Sequence, residues 1–255
     1  MKTGIIHLAL VPVRKEPDDR AEMVNQLLFG EGIQIMEKRN NWTRIKSLWD
    51  NYGGWIDTKQ FTPADESLFQ EQVKTPFCAD LVHMCSLPDD SAQSIVLGSC
   101  LPSLRDGVLD WGSLQYKFDG DVQAPQLSRD FLMEQALHYL HAPYLWGGRS
   151  PFGIDCSGFT QMVYKMMGIQ LKRDASQQAK QGRTLSFIEE AQTGDLAFFD
   201  NAEGKIIHVG IMMENHHIIH ASGKVRIDKI DHQGIFNVDT GKHTHKLRLI
   251  TNILD

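Results

Sequence analysis

The segment GIDCSGFTQMVYK, residues 153–165, contains one of only four cysteines in a chain of 255 residues. Apolar residues recur after Cys156 at the spacing of one helix face, and a glycine at position 168 supplies a stop. The members of this apolar stripe are Phe159, Met162, Val163, Met166 and Met167. The pattern predicts a helix that begins at Cys156 or within one residue of it.

A cysteine at the start of a helix is suited to act as a nucleophile. Unpaired backbone N–H groups and the positive end of the helix dipole favour a thiolate over a thiol at that position. The same N–H groups can later hold an oxyanion. Small neighbours, Ser157 and Gly158, keep the approach to the sulfur open. A packed and inert thiol at Cys156 is the alternative that position alone leaves open.

The other three cysteines, Cys78, Cys85 and Cys100, fall in one middle segment of the chain. Their spacing matches no zinc-binding pattern, and four cysteines in 255 residues are too few for a disulfide framework. We expect these three residues to be buried reduced thiols.

A catalytic cysteine needs a base, usually histidine, and a third group that orients the base. His208 lies in KIIHVGIMM and His220 in HHIIHAS, and a hairpin centred near Glu214 would place them directly opposite each other on one face. His208 is then the candidate base and His220 its orienting residue. Surface histidines, or a metal site that includes His216 and His217, are the alternatives. We expect no metal, because adjacent strand residues face opposite sides and no carboxylate lies at ligand spacing.

Composition and charge narrow the class of protein. The chain is 42% hydrophobic and 23% charged, with a formal net charge of −6 and a pI near 6.0. Lys and Arg are scattered, so neither nucleic acid nor an anionic membrane is an expected partner. The N-terminal run IIHLALVPV reads as a strand rather than a signal peptide, because a charged segment follows it without a cleavage site. We expect a cytoplasmic protein; a periplasmic or wall-associated one that has lost its leader would look the same.

Three segments of the chain differ in their pattern of predicted strands and helices. Residues 1–64 read as short strands separated by turn clusters, which predicts a small β-barrel or sandwich. Residues 65–123 repeat that texture more weakly, and Pro63 marks the boundary between the two. From residue 124 to residue 255, helices are followed by hairpin-connected strands, which predicts an α+β domain with an antiparallel sheet. Within it, Ser128 is predicted to cap one helix, and another is predicted to run from the cap Asp174 to Gly182.

Five motifs, in this order within about residues 128–225, resemble the NlpC/P60 cysteine peptidases: APYLWGGRSPFGIDCSGF, DASQQ, GDLAFF, HVGIMM and IIHASG. One motif alone is weak evidence, whereas five in the family's order are specific. The resemblance implies a papain-like α+β fold with Cys156 as nucleophile, His208 as base and His220 as the third, orienting residue. It also matches Tyr144 to a tyrosine that lines the active site near the oxyanion. A half-buried aromatic residue is the alternative for Tyr144.

The N-terminal half is similar to bacterial SH3 domains, with one clear copy in residues 1–64 and one degenerate copy in residues 65–123. The whole arrangement resembles the YkfC-type γ-D-glutamyl-L-diamino acid peptidases of the same family. That resemblance implies cleavage between γ-D-Glu and L-Lys or diaminopimelate in cell-wall muropeptides with a free N-terminal L-Ala. The product would be L-Ala-γ-D-Glu, and the resemblance implies no cofactor.

In those relatives the first SH3 domain closes one end of the cleft and helps to bind the substrate's free amino group. The matching residues here are Glu22, Tyr52 and Asp174, whose oxygens suit an ammonium group. Ser157 is a candidate for contact with the substrate's α-carboxylate. One departure is Ala175, where such relatives can carry a serine, so that a hydroxyl contact is absent or comes from Ser176.

Two competing functions remain at the level of sequence. A wall-associated endopeptidase of intact peptidoglycan would use the SH3 domains as wall-binding modules. A non-catalytic binding module would keep the peptidase scaffold with an inert Cys156. Under the preferred interpretation the partner is a small peptide substrate and the protein is a monomer.

Overall fold

The computed structural model describes residues 2–254 and divides the chain into two compact units. The first unit runs to Gln126 and also takes in Trp146–Pro151 and Gly168–Gln170. The second unit is made of Leu127–Leu145, Phe152–Met167 and the chain from Leu171 onward. A short piece of sequence between Tyr144 and Cys156 therefore belongs to the first unit rather than to the second.

The first unit opens with a seven-stranded antiparallel sheet in the order β3-β2-β6-β5-β4-β1-β7. Its strands are β1 Thr3–Ile6, β2 Leu10–Arg14, β3 Met23–Leu28, β4 Gly32–Arg39, β5 Trp42–Ser47, β6 Gly53–Asp57 and β7 Phe61–Pro63. Alternating inward residues, such as Val11, Val13 and Ile45, build its core. A 3-10 helix, Thr58–Gln60, links the last two strands.

Two segments that the sequence pattern presents as single strands are each split by a turn. IIHLALVPV forms β1 and β2, and LLFGEGIQIMEKR contains the end of β3 and all of β4. Gly30 makes the second turn with a φ of 78°. A Cβ at this position would lie 1.9 Å from the carbonyl oxygen of Cys100, so the chain needs glycine there.

The rest of the first unit is built from short strands and shares a core with the seven-stranded sheet. The strands are β8 Phe77–Cys78, β9 Val82–Ser86, β10 Ala92–Val96, β11 Val108–Asp110, β12 Gln115–Lys117, β13 Val122–Gln123 and β14 Arg149–Ser150. The middle ones form a four-stranded sheet, β10-β9-β12-β11, and β8 pairs with β13. Phe29 packs its ring 4.8 Å from Trp111 and 5.0 Å from Tyr116, so the core continues past residue 64.

All four cysteines lie among the described residues, and none forms a disulfide. Cys78 and Cys85 are buried, as predicted, and burial raises the pKa of Cys78 to about 12 and that of Cys85 to about 11. Cys100 is only partly buried, so the expectation of a buried thiol is wrong there.

The second unit combines three helices with a sheet that closes on itself. The helices are α1 Arg129–His138, α2 Cys156–Met166 and α3 Ala175–Gln178. The strands are β15 Gly153–Ile154, β16 Arg183–Thr184, β17 Leu196–Asp200, β18 Ile206–Met213, β19 His217–Ser222, β20 Lys224–Asp231, β21 Gly234–Asn237 and β22 Lys242–Asn252. The sheet order is β16-β22-β17-β18-β19-β20-β21, and β22 also pairs with β21. Every residue of α2 is buried, and the helix packs against β18 and β19.

The predicted helix starts are confirmed, but one helix end is not. Ser128 caps α1 by accepting a hydrogen bond from the backbone N–H of Phe131, and α2 begins at Cys156. Asp174 caps α3, yet this helix ends at Gln178 instead of Gly182, which takes a φ of 76°. Strands β20 and β21 were not predicted. None of the helices within residues 2–254 has the length and apolar character to span a membrane.

Candidate active site

Cys156 is the first residue of α2, and Asp155 is the N-cap of this helix. The Asp155 carboxylate accepts a hydrogen bond from the backbone N–H of Gly158 at 2.7 Å. The Cys156 side chain is buried, and the backbone N–H groups of Val209 and Ser157 act to lower its pKa. Val209 directly follows His208 on β18, so the sulfur lies against the strand that carries the candidate base.

The electrostatic surroundings keep Cys156 as a thiol in the resting protein. Burial, followed by the negative charge of Asp155, raises the pKa of Cys156 to about 12. The Val209 N–H and the Arg173 cation act in the opposite direction but are outweighed. The prediction that the helix start favours a resting thiolate is therefore wrong, because desolvation and the capping carboxylate oppose the helix dipole.

His208 and His220 share one face of the sheet and are directly hydrogen bonded. The distance from His208 Nε2 to His220 Nδ1 is 2.8 Å, and both side chains are buried. The predicted shared face is confirmed, but the predicted direct pairing is wrong. His220 lies opposite Gly210, because the hairpin turns about Asn215 instead of Glu214. The two imidazoles therefore occupy diagonal positions on neighbouring strands, and aromatic side chains are long enough to meet across that separation.

Asp228 on β20 extends this pair, and the sequence pattern did not indicate it. His220 Nε2 lies 3.1 Å from Asp228 Oδ2. Arg226 donates to both carboxylate oxygens at 2.7 Å and 2.9 Å, and the backbone N–H of Val238 donates to Oδ1 at 3.3 Å. Burial would raise the pKa of Asp228, but hydrogen bonds from His220, Arg226 and Val238 outweigh it and lower the pKa to about 2. Asp228 is thus a buried carboxylate that stays ionised.

His245 on β22 also belongs to this cluster and was missed. Its ring stacks on that of His208, with centroids 4.3 Å apart and an interplanar angle of 28°. Burial, then the neighbouring His220 and His245, lower the pKa of His208 well below its ordinary value. Burial and His220 likewise lower the pKa of His245 to about 4. Both rings are neutral at neutral pH, so His208 is able to accept a proton.

Tyr144 lies at a cavity of about 240 Å³ that His208, Ser222 and His245 also line. Tyr144 is 37% exposed, so it is open to solvent as well as to this cavity. Burial, then the nearby Cys156 and Asp155, raise the pKa of Tyr144 to about 12. Tyr144 therefore keeps its proton and is a hydrogen-bond donor at the mouth of the site.

Ser157 is the second residue of α2, and Asp174 is the N-cap of α3. The Ser157 hydroxyl donates to Asp155 at 3.3 Å and accepts from Arg173 at 3.0 Å. Arg173 also donates to both Asp155 oxygens, at 2.9 Å and 2.6 Å, and this ion pair is buried. Asp174 follows Arg173 in the chain, is partly buried, and forms a capping box with Gln177.

Glu22 and Tyr52 belong to the first unit. Glu22 directly precedes β3, is 43% exposed, and accepts hydrogen bonds from Lys15 Nζ at 3.3 Å and from Trp146 Nε1 at 2.9 Å. These two donors lower the pKa of Glu22. Tyr52 is partly buried in the turn before β6, with its backbone N–H donated to Asp50 at 2.8 Å.

Trp146 is part of the piece of sequence, Trp146–Pro151, that belongs to the first unit. Arg149 anchors this piece through a buried ion pair with Glu31, at 2.8 Å and 3.0 Å, and a 2.9 Å hydrogen bond to the carbonyl of Gln26. The Arg149 backbone N–H also donates to the Gln26 side chain at 3.0 Å. This piece begins two residues after Tyr144 and ends four residues before Asp155. It therefore connects the part of the sequence that contains Tyr144 to the part that contains Cys156.

The arrangement in the second unit provides the parts that acyl transfer requires. A thiol at a helix start, a buried neutral imidazole, a second imidazole that holds it and a phenol donor lie on adjacent elements. Across residues 2–254, no three His, Cys, Asp or Glu side chains are grouped as metal ligands. The chemistry that these side chains can perform is nucleophilic attack on a carbonyl, with proton transfer through an imidazole.

Comparison with known proteins agrees with this chemistry. The NlpC/P60 family matches residues 141–243, and the bacterial dipeptidyl-peptidase SH3 domain matches residues 13–61. A γ-D-glutamyl-L-lysine dipeptidyl-peptidase of Bacillus subtilis is 40% identical over 211 residues, which cover 77% of this chain and 71% of that relative. A protein of the same name from Bacillus cereus is 27% identical over 78% of this chain and 67% of its own length.

Among solved structures, an NlpC/P60 family protein from Bacillus cereus superposes with a TM-score of 0.82. The match covers 99% of this chain and 100% of that chain, at 20% identity, and so bears on the fold alone. The Bacillus subtilis relative carries the assignment, because its identity is well above this level and extends over most of both chains. The protein described here belongs to the NlpC/P60 family and is a cysteine peptidase that carries an N-terminal SH3 domain.

Proposed function

We propose that this peptidase hydrolyses the bond between γ-D-Glu and L-Lys or diaminopimelate in muropeptides that have a free N-terminal L-Ala. The observation that carries the proposal is the hydrogen bond from Trp146 to Glu22. It ties an ionised carboxylate of the SH3 domain to a residue only two positions after Tyr144 in the chain. Two relatives that match over more than three quarters of this chain are named γ-D-glutamyl-L-lysine dipeptidyl-peptidases, which supports the same substrate class.

The free amino group is the feature that Glu22 would recognise. An ammonium group that leaves water needs carboxylate or phenol oxygens as partners. Glu22 is exposed and its pKa is lowered by Lys15 and Trp146, so it presents a negative charge at neutral pH. Tyr52 and Asp174 are the other oxygens that we assign to the amino end, and Ser157 is assigned to the α-carboxylate of γ-D-Glu.

The reaction begins from a neutral thiol and a neutral imidazole. His208 takes the proton of Cys156 as the sulfur attacks the γ-D-Glu carbonyl. The resulting oxyanion lies near the start of α2 and the phenol of Tyr144. His208 then passes the proton to the leaving amine, the C–N bond breaks, and a thioester remains. Water, deprotonated by His208, hydrolyses the thioester and restores the thiol.

The proposal extends to the architecture and the setting of the enzyme. We assign residues 124–255 to a papain-like α+β domain and residues 65–123 to a second, degenerate SH3-like domain. A peptidase of free muropeptides serves peptidoglycan recycling, so we place its action in the cytoplasm. It would act as a monomer without a cofactor.

A pair of peptides tests the substrate assignment. The probes are L-Ala-γ-D-Glu-L-Lys and the same peptide acetylated at its L-Ala nitrogen, with products identified by mass spectrometry. We expect cleavage of the first and a loss of at least roughly 100-fold in kcat/KM for the second, because acetylation removes the charge that Glu22 recognises. Equal cleavage of both would overturn the dipeptidyl-peptidase assignment and favour an endopeptidase of wall peptides.

A further inference from the structure

Three side chains on three successive strands form one hydrogen-bonded line that ends at the candidate base. His208 on β18 and Asp228 on β20 each lie two residues from the position that is directly opposite His220 on β19. Gly210 lies opposite His220, and Arg226 lies opposite His220 on the other side. The line is buried throughout, with Asp228 and His220 each about 1% exposed.

The identity of the donors and acceptors follows from the carboxylate. An ionised carboxylate only accepts hydrogen bonds, so His220 must carry a proton on Nε2 to bond with Asp228 Oδ2 at 3.1 Å. When this is the only ring proton of His220, its Nδ1 is bare and accepts. The 2.8 Å contact therefore requires His208 to donate from Nε2. A neutral His208 with its proton on Nε2 has a bare Nδ1, which is the form that can take a proton from a thiol.

We propose that Asp228 is a positioning residue for catalysis, which sets the proton positions of His220 and His208 so that His208 Nδ1 is the base. The inference rests on the proposed roles of Cys156 and His208. Asp228 itself touches no reacting atom and acts through His220. Its four acceptor positions are filled by His220, by Arg226 twice and by the Val238 backbone N–H, so the carboxylate has one fixed orientation.

The variant Asp228→Asn tests whether the negative charge of Asp228, rather than its packing, determines which ring nitrogens of His220 and His208 carry protons. In Asp228→Asn, the NH₂ group takes the side that faces His220, because His220 can move its proton and accept, whereas the Val238 backbone N–H on the other side can only donate. When NH₂ faces His220, His220 accepts at Nε2 and carries its proton on Nδ1. His208 must then bear its proton on Nδ1 to avoid two facing donors, and the base is lost.

Arg226→Gln is the matched control. It removes both hydrogen bonds from Arg226 to Asp228 and the ion pair with Asp239, but leaves the carboxylate to accept from His220, so the proton order should persist. We expect Asp228→Asn to lower kcat roughly 10- to 100-fold with little change in KM. Arg226→Gln should retain most of kcat. Full kcat in Asp228→Asn, or equal losses in the two variants, would overturn the proposal, because a purely structural ion pair predicts similar damage from either side.

Nitrogen-15 NMR of the histidine rings gives a readout that does not depend on substrate. We expect the wild-type protein to show His208 and His220 as neutral Nε2–H forms, with His220→Gln used for assignment. Asp228→Asn should move the His220 proton to Nδ1. If that variant fails to fold, the wild-type spectrum decides alone: an Nδ1–H form of either histidine overturns the proposal. A wild-type enzyme inactive on the muropeptide would defeat the proposed substrate while leaving this test intact.

Discussion

Gly210 and His220 lie directly opposite each other on β18 and β19, and a Cβ at position 210 would lie 2.8 Å from the Cβ of His220. The missing side chain gives the imidazole of His220 the room to bridge diagonally to His208. Real Cβ atoms do not approach another side chain this closely, so a residue larger than glycine must move His220 and also Ile218, whose Cδ1 would lie 2.7 Å away. The bond between the two histidines therefore depends on a glycine.

Gly210→Ala is expected to lower kcat by roughly 10- to 100-fold, because a small displacement of His220 releases the ring of His208. Steady-state kinetics on L-Ala-γ-D-Glu-L-Lys, with circular dichroism to verify folding, measure the effect. Gly53→Ala on β6 is the control, since the nearest atom to its added carbon is 3.6 Å away. A folded Gly210→Ala protein with wild-type kcat would show that the histidine contact is not needed.

The acid sensitivity of stability is expected to weaken in His245→Phe. The pKa of His245 is lowered to about 4 by burial and by His220, against 6.5 in the unfolded chain. The unfolded chain therefore binds a proton between these values that the folded protein does not, so the free energy of unfolding falls as the pH falls through this window. Phenylalanine keeps a ring on His208 and removes the titration.

Thermal unfolding of the wild type and His245→Phe from about pH 7 down to pH 4 measures this difference. The midpoint should fall less steeply in the variant. Part of the slope will remain, since burial also lowers the pKa of His208. Parallel slopes in the two proteins would mean that partial burial does not hold His245 as a neutral imidazole.

Arg173→Met is expected to destabilise the protein by about 3–5 kcal/mol, because it leaves the buried Asp155 carboxylate without its cation. Denaturant unfolding measures the loss. Lys205→Met removes a cation from the exposed ion pair with Glu203 and should cost at most about 1 kcal/mol. If Arg173→Met destabilised the protein no more than Lys205→Met, the ion pair between Arg173 and Asp155 would not be what stabilises the start of α2.

Glu22→Gln is expected to raise KM for the free tripeptide by roughly tenfold or more, since a hydrogen bond to a charged group is worth about 1.5–3 kcal/mol. The acetylated peptide has no ammonium group, so its KM should not respond. Glu16→Gln, an exposed change of the same charge on the same unit, is the matched control. A KM unchanged by Glu22→Gln would remove Glu22 from the amino-end site.

The parts of this site that follow a local pattern could be predicted from the sequence. The start of α2 at Cys156 follows from the apolar stripe after it, and His208 and His220 follow from strand parity. The prediction that His208 and His220 share a face holds although the predicted turn centre is wrong. Moving a hairpin centre by one residue shifts the pairing by two residues, which keeps each residue on its face.

Other parts depend on contacts that have no local signature. Asp228 becomes a neighbour of His220 only through the register of β19 and β20, and KVRIDKID does not mark one aspartate as buried. The stacking of His245 on His208 likewise depends on the strand order, in which only β17 separates β22 from β18. The neutral state of Cys156 depends on burial and on the placement of Asp155, which outweigh the helix-start effect that the sequence suggests.

Whether the Cys156 thiol performs the hydrolysis is decided by comparing the wild-type protein with Cys156→Ala. Purified wild-type protein and Cys156→Ala are incubated with L-Ala-γ-D-Glu-L-Lys, and the products are identified by mass spectrometry. We predict that the wild type releases L-Ala-γ-D-Glu and L-Lys and that the variant, with its fold verified by circular dichroism, releases neither. Undiminished release of L-Ala-γ-D-Glu by Cys156→Ala would show that Cys156 is not the nucleophile.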